Sequence, residues 1–170
     1  VLGNIGGIYK VLGNYESALS SYQQSLEIHQ EIGNRRSEGI ALGNSGDLLV
    51  LMGRFDEAKV AFAQAIEICD DTFAIAAGVF RGSMALINAQ TGFFELDELL
   101  EKGEAQVKVY PLEHAKFLCK KGQIELILKR DEQASQSCIE AQKIATDLKT
   151  QSGSELMNMI FELQGLITQT

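Results

Sequence analysis

Proline is almost missing: Pro111 is the only one in 170 residues, and tryptophan is absent. So few helix breakers leave room for long uninterrupted helices. Strand signals are also missing, since no run of alternating β-branched residues lies between turn clusters. No apolar run reaches about 18 residues, which excludes a membrane-spanning helix. No charged leader with an apolar core and cleavage site opens the chain. The three cysteines, Cys69, Cys119 and Cys138, are odd in number and irregularly spaced. They are no disulfide framework, and small buried hydrophobes in a reducing, cytoplasmic setting are expected. Basic groups are outnumbered 15 to 23, for a net charge of −8. A protein that neutralises phosphates needs the opposite balance, so neither nucleic acid nor an anionic membrane is an expected partner.

Catalytic signals are lacking as well. Histidine occurs only at His29 and His114, and there is no His-Glu-x-x-His, paired Cys-x-x-Cys or phosphate-cradling loop. The Leu-Gly-Asn-Ile-Gly-Gly stretch at residues 2–7 is glycine-rich, but it follows no strand and lies within a helical pattern. His114 and Cys119 are five residues apart, on different faces of a helix. No catalytic residue, metal ligand or cofactor is expected.

What remains is ordinary globular composition, 45% apolar and 22% charged. The length allows one domain or one continuous array. The apolar pattern is already running at Val1, which reads as an excerpt from a longer protein. Sixteen glycines beside one proline need an explanation, and an internal repeat supplies it. Displaced by 40 residues, Leu2, Gly3, Asn4, Gly6, Gly13, Ala18, Gln24, Glu27 and Ile28 meet identical residues at 42, 43, 44, 46, 53, 58, 64, 67 and 68. Tyr15 meets Phe55 and Tyr22 meets Phe62. Leu42, Leu48, Leu49 and Met52 fall at helical spacing before Gly53, and Ala58, Phe62, Ala65 and Ile66 share a face after it. Each unit is therefore a hairpin of two antiparallel helices around a turn glycine. Gly6 and Gly46 lie mid-helix, where each costs about 0.5–1 kcal/mol against alanine, so close packing must offset them. Tyr22 and Phe62 are expected to fill the space towards the next unit.

This pattern resembles the tetratricopeptide repeat. Its signature positions read Leu2, Ile5, Gly6, Tyr9, Gly13, Tyr15, Ala18, Tyr22, with Ser25 in the last alanine place, and again Leu42, Ser45, Gly46, Leu49, Gly53, Phe55, Ala58, Phe62, Ala65. The 40-residue period is similar to the longer variety in kinesin light chains, Partner-of-Inscuteable-like proteins and bacterial regulatory proteins, which share the glycine–asparagine stretch at Gly43–Asp47. The resemblance implies an all-α fold: an α-solenoid, a right-handed superhelix of antiparallel helix hairpins. Repeats are expected at 1–32 and 33–70, a degenerate third at 71–109, a fourth at 110–150, and a capping or half-repeat helix at 151–170. In the third unit Gly92 is the expected turn, followed by Phe94, while Asp97 and Glu101 occupy places meant for alanine and an aromatic. In the fourth, Leu118, Gly122, Ala134, Cys138 and Ala141 fit, and Lys129 stands where the turn glycine belongs. Pro111 suits a first helical turn after extended Tyr110. Leu156, Ile160, Leu163 and Ile167 form one stripe, and Met157, Phe161 and Leu166 spoil the polar face that a cap would show, which leaves an interrupted array or self-association through this helix.

In such an array the first helix of each hairpin lines a concave groove. Inward positions are Gly3, Asn4, Gly7, Lys10 and Val11; Gly43, Asn44, Asp47, Val50 and Leu51; Gly82, Ser83, Leu86, Ala89 and Gln90; and Cys119, Lys120, Gln123, Leu126 and Ile127. Asn4, Asn44, Ser83 and Lys120 form a polar ladder suited to peptide backbone; alternatively the asparagines cap neighbouring helices or face water. Gly3, Gly43 and Gly82 admit a ligand backbone or pack tightly against the next unit. Lys116, Lys120 and Lys121 either favour an acidic ligand or form a solvated face. The resemblance implies a protein-interaction scaffold that holds a peptide or helical segment of another protein. The alternative is a sensor or regulatory segment of a larger bacterial signalling or transcription-regulating protein.

Overall fold

The computed structural model describes residues 1–93 and 96–169. Among these there are nine helices and no strand: α1 (Leu2–Val11), α2 (Tyr15–Glu31), α3 (Arg35–Leu51), α4 (Phe55–Thr72), α5 (Ala74–Gln90), α6 (Asp97–Val107), α7 (Pro111–Ile127), α8 (Asp131–Asp147) and α9 (Glu155–Ile167). No helix among the described residues is long and apolar enough to cross a membrane. The chain divides into two compact units, Val1–Phe80 and Arg81–Thr170.

The same turn recurs between helices. After α1, the Asn14 amide donates to the Tyr9 carbonyl and the Gly13 amide to that of Lys10, at 2.9 and 3.1 Å. This pair of bonds closes a helix around a left-handed residue. It is repeated after α2 at Gly33, after α3 at Gly53 and after α5 at Gly92, all with positive φ. After Gly13, Gly33 and Gly53 the following residue caps the next helix, and the Asn14 and Asn34 side chains accept from the Ser17 and Ser37 amides. Such a cap is worth about 1 kcal/mol. Lys129 and Lys149 occupy the glycine place after α7 and α8 and adopt φ of 57° and 52°. Tyr110 is extended and Pro111 opens α7. Between α4 and α5 only Phe73 is non-helical, and the Arg36 guanidinium stacks 3.7 Å from its ring centroid.

In the first unit, Ala18, Tyr22 and Leu48 form one buried cluster, with Tyr9, Tyr15, Leu19 and Met52 around it. The Phe62 and Phe80 rings lie 6.1 Å apart. Both aromatic rings reach the next helix pair as expected, Tyr22 at Leu48 and Phe62 at Phe80, and each also fills a place that spacing did not link. Tyr22 and Phe62 also cover the glycines of their own hairpins: a Cβ at Gly6 would stand 2.6 Å from Tyr22, and one at Gly46 would stand 2.8 Å from Phe62. A glycine mid-helix opens a notch, and the nearest large ring on the partner helix occupies it.

In the second unit, Leu118, Cys119, Cys138, Ala141 and Ala145 pack with Leu156, Ile160 and Leu163 of α9. The expected α9 stripe is thus core at those three positions. A second cluster joins Ala85 and Ala89 to Leu96 and Ile124. Residues of α5 and α6 pack together although this stretch matches the repeat pattern poorly. Helix α6 has only 11 residues. Asp97 and Glu101 are exposed, while Leu96, Gly103 and Val107 turn inward. Phe117 fills the notches at both Gly82 and Gly103, and the buried Arg81 donates to Gln106 Oε1 at 2.7 Å. Gly92 is the turn, as its spacing predicts; Phe94 lies outside the described residues.

Candidate binding surface

The sequence-predicted positions fall on α1, α3, α5 and α7. In the first unit Asn4 is exposed, Gly7, Lys10, Asn44 and Asp47 are half-buried, and Leu51 is 53% exposed. The Asn4 and Asn44 side-chain amides make no hydrogen bond among the described residues, so they cap no helix there. Gly43 is closed instead, because the Phe80 ring occupies the place of its missing Cβ. Tyr22 joins two predicted positions that sequence spacing did not link. Its hydroxyl lies 3.9 Å from a Cβ at Gly7. Burial, and then the charge of Asp47, push its phenol above the usual range.

In the second unit the ladder residues Ser83 and Lys120 meet: Lys120 Nζ donates to Ser83 Oγ at 2.7 Å. Ser83 is buried, as are Ala89 and Cys119. The last two belong to the core rather than to an open groove, because the close approach of α6, α8 and α9 covers them. The positions further along the same helices stay open. Leu86 and Gln90 of α5 and Gln123, Leu126 and Ile127 of α7 line a concavity of about 390 Å³. Its remaining wall is Glu162 and Leu166 of α9 with Gln169 beyond it. Sequence spacing missed this wall, since α9 reads as a cap or half-repeat. The one signal was Leu166, an apolar residue on a face that a cap keeps polar.

The lysines of α7 have partners. Lys116 reaches Glu155 at 2.5 Å, and Lys121 reaches Glu104 at 2.7 Å. His114 Nε2 stands 3.5 Å from the same Glu104, without a hydrogen bond to it. Burial pushes the Glu104 carboxyl up, but Lys121, with help from His114, outweighs it and holds it below the ordinary carboxylate range. Glu125 behaves oppositely: burial raises it despite the Ser137 hydroxyl, which donates at 2.8 Å. A separate hollow of about 510 Å³ runs beside α8, lined by Lys108, Pro111, His114, Ile139, Lys143 and Asp147 among others.

The Cys119 thiol is pushed up to about 12, first by burial and then by Cys138 and Glu162, so it is a protonated core group and a poor nucleophile. No group of three or more His, Cys, Asp or Glu among the described residues could hold a metal ion.

Residues 1–71 match the family model of the tetratricopeptide repeat. No curated protein matches the chain. Among 45 matching chains of solved structures is the crystal structure of BtubC (BKLC) from P. vanneervenii. It is 12% identical, with a TM-score of 0.69 over 90% of this chain. The chain spans 65% of that structure's length. At this identity the likeness concerns the fold alone. Tetratricopeptide repeats generally mediate protein–protein interaction. Residues 1–71 are tetratricopeptide repeats, and the chain has an all-helical fold of tetratricopeptide-repeat type.

Proposed function

We propose that the chain is a protein-interaction scaffold that holds a peptide or helical segment of another protein against the first helices of its hairpins. In this reading 1–32, 33–70, 71–109 and 110–150 are successive repeats and 151–170 is the closing helix. The contact residues are Asn4, Gly7, Lys10, Asn44, Asp47, Leu51, Ser83, Leu86, Lys120 and Gln123. The observation that carries the reading is the concavity of the second unit. Leu86, Gln90, Gln123, Leu126 and Ile127, inward by spacing alone, line it together. The amides of Asn4 and Asn44, which bond to nothing among the described residues, support it, since an amide donates and accepts and suits peptide backbone. A cytoplasmic location belongs to the same proposal, supported by three free, buried thiols.

The test is quantitative capture from native lysate with the wild type, Asn44→Ala, Gln123→Ala, and Glu132→Ala on exposed α8 as a control. Partners should be lost from the two groove variants and kept by the control. Equal capture by all four proteins would remove the scaffold reading.

A further inference from the structure

We propose that the concavity walled by α9 selects a basic–aliphatic segment of the partner. An aliphatic side chain enters between Leu86, Leu126 and Leu166, and a neighbouring lysine or arginine pairs with Glu162. This rests on the scaffold reading and supplies the chemistry of the segment held in the second unit.

Three observations converge. The volume, about 390 Å³, falls within the range of roughly 300–1,000 Å³ typical of ligand sites. Four aliphatic side chains, Leu86, Leu126, Ile127 and Leu166, share the walls with four polar ones, and Ile127 and Leu166 are each 39% exposed, so this surface is open to a side chain. The other polar lining groups, Gln90, Gln123 and Gln169, are neutral amides that pair with backbone and select no charge.

The selection comes from Glu162. Among the described residues it is the only charged one lining the concavity, and no cation lies within 4 Å of it. The α7 lysines are engaged elsewhere: Lys116 by Glu155, Lys121 by Glu104, and Lys120 by the Ser83 hydroxyl. An acidic segment would place a second anion beside an uncompensated carboxylate. A basic one supplies the missing counter-charge, and an arginine does so with two parallel hydrogen bonds. The net charge of −8 steers cationic segments the same way.

A random-peptide phage library selected against the whole chain tests this. Enriched peptides are then labelled and titrated by fluorescence anisotropy with the wild type, Glu162→Gln and Leu166→Ala. Glu162 and Leu166 are exposed, so both variants should keep the wild-type circular dichroism. The expected consensus places Lys or Arg near Leu, Ile or Met. Glu162→Gln should weaken binding about fivefold, and the loss should vanish when the peptide's basic residue is alanine. Rising salt should weaken wild-type binding more than binding by Glu162→Gln. A consensus without a basic residue, or equal affinities for all three proteins, overturns this inference and leaves the scaffold reading standing. A selection that enriches no peptide overturns both.

Discussion

Gly46 shows how a residue without a side chain carries packing information. It sits mid-way along α3, where alanine would gain up to about 1 kcal/mol of helix propensity. A Cβ there would stand 2.8 Å from Phe62, whose ring is fully buried and held against Phe80. Overpacking of this kind costs about 1–3 kcal/mol, so the clash wins. Gly46→Ala should lower stability in urea by about 1–2 kcal/mol. Gly165→Ala in α9, where a Cβ meets nothing within 4 Å, should raise it by up to about 1 kcal/mol. Equal signs for the two variants would contradict the notch. Glu104 gives a second residue-scale prediction. Its folded-state carboxyl lies below the ordinary range, so its contribution is complete above the unfolded value of about 4.3. That contribution is lost as pH falls through the lower folded value. Glu104→Gln should therefore cost about 1 kcal/mol at neutral pH, and thermal melts of variant and wild type should converge in strong acid.

At the level of the element, one turn serves glycine and lysine alike. Lys129 makes the bonds that Gly13 and Gly53 make, its amide donating to Leu126 while that of Arg130 donates to Glu125. A residue with a Cβ in this conformation costs about 1–2 kcal/mol, partly offset because glycine is freer in the unfolded chain. Lys129→Gly should raise the melting temperature, by the equivalent of about 0.5–1 kcal/mol, and Gly53→Lys should lower it by a similar amount. An unchanged melt for both would mean that the turn stores no strain.

Across the whole molecule, stability is divided between two compact units. Each compact unit holds its own core, and α9 contributes Leu156, Ile160 and Leu163 to the second. Ile160→Ala opens a cavity in that core at a cost of about 2–5 kcal/mol. Native-state hydrogen exchange should then speed up in α7, α8 and α9 well before α1–α4. Uniform acceleration throughout would instead mark one cooperative block.

The periodicity of apolar residues and the recurring turn glycines were enough to read helices, hairpins and the buried stripe of α9, because helix pitch and left-handed turns are local properties of the chain. The open face of α5 and α7 was legible for the same reason: Leu86, Gln123 and Ile127 follow from pitch once one inward residue is set. Which ring fills which glycine notch, which residues of short α6 turn inward, and that Ser83 meets Lys120 were settled only by tertiary packing. So was the place of Glu162 and Leu166 as a wall. Those outcomes depend on how closely distant helices approach, and that distance follows from side-chain volumes meeting across the core, which no spacing along a single helix records.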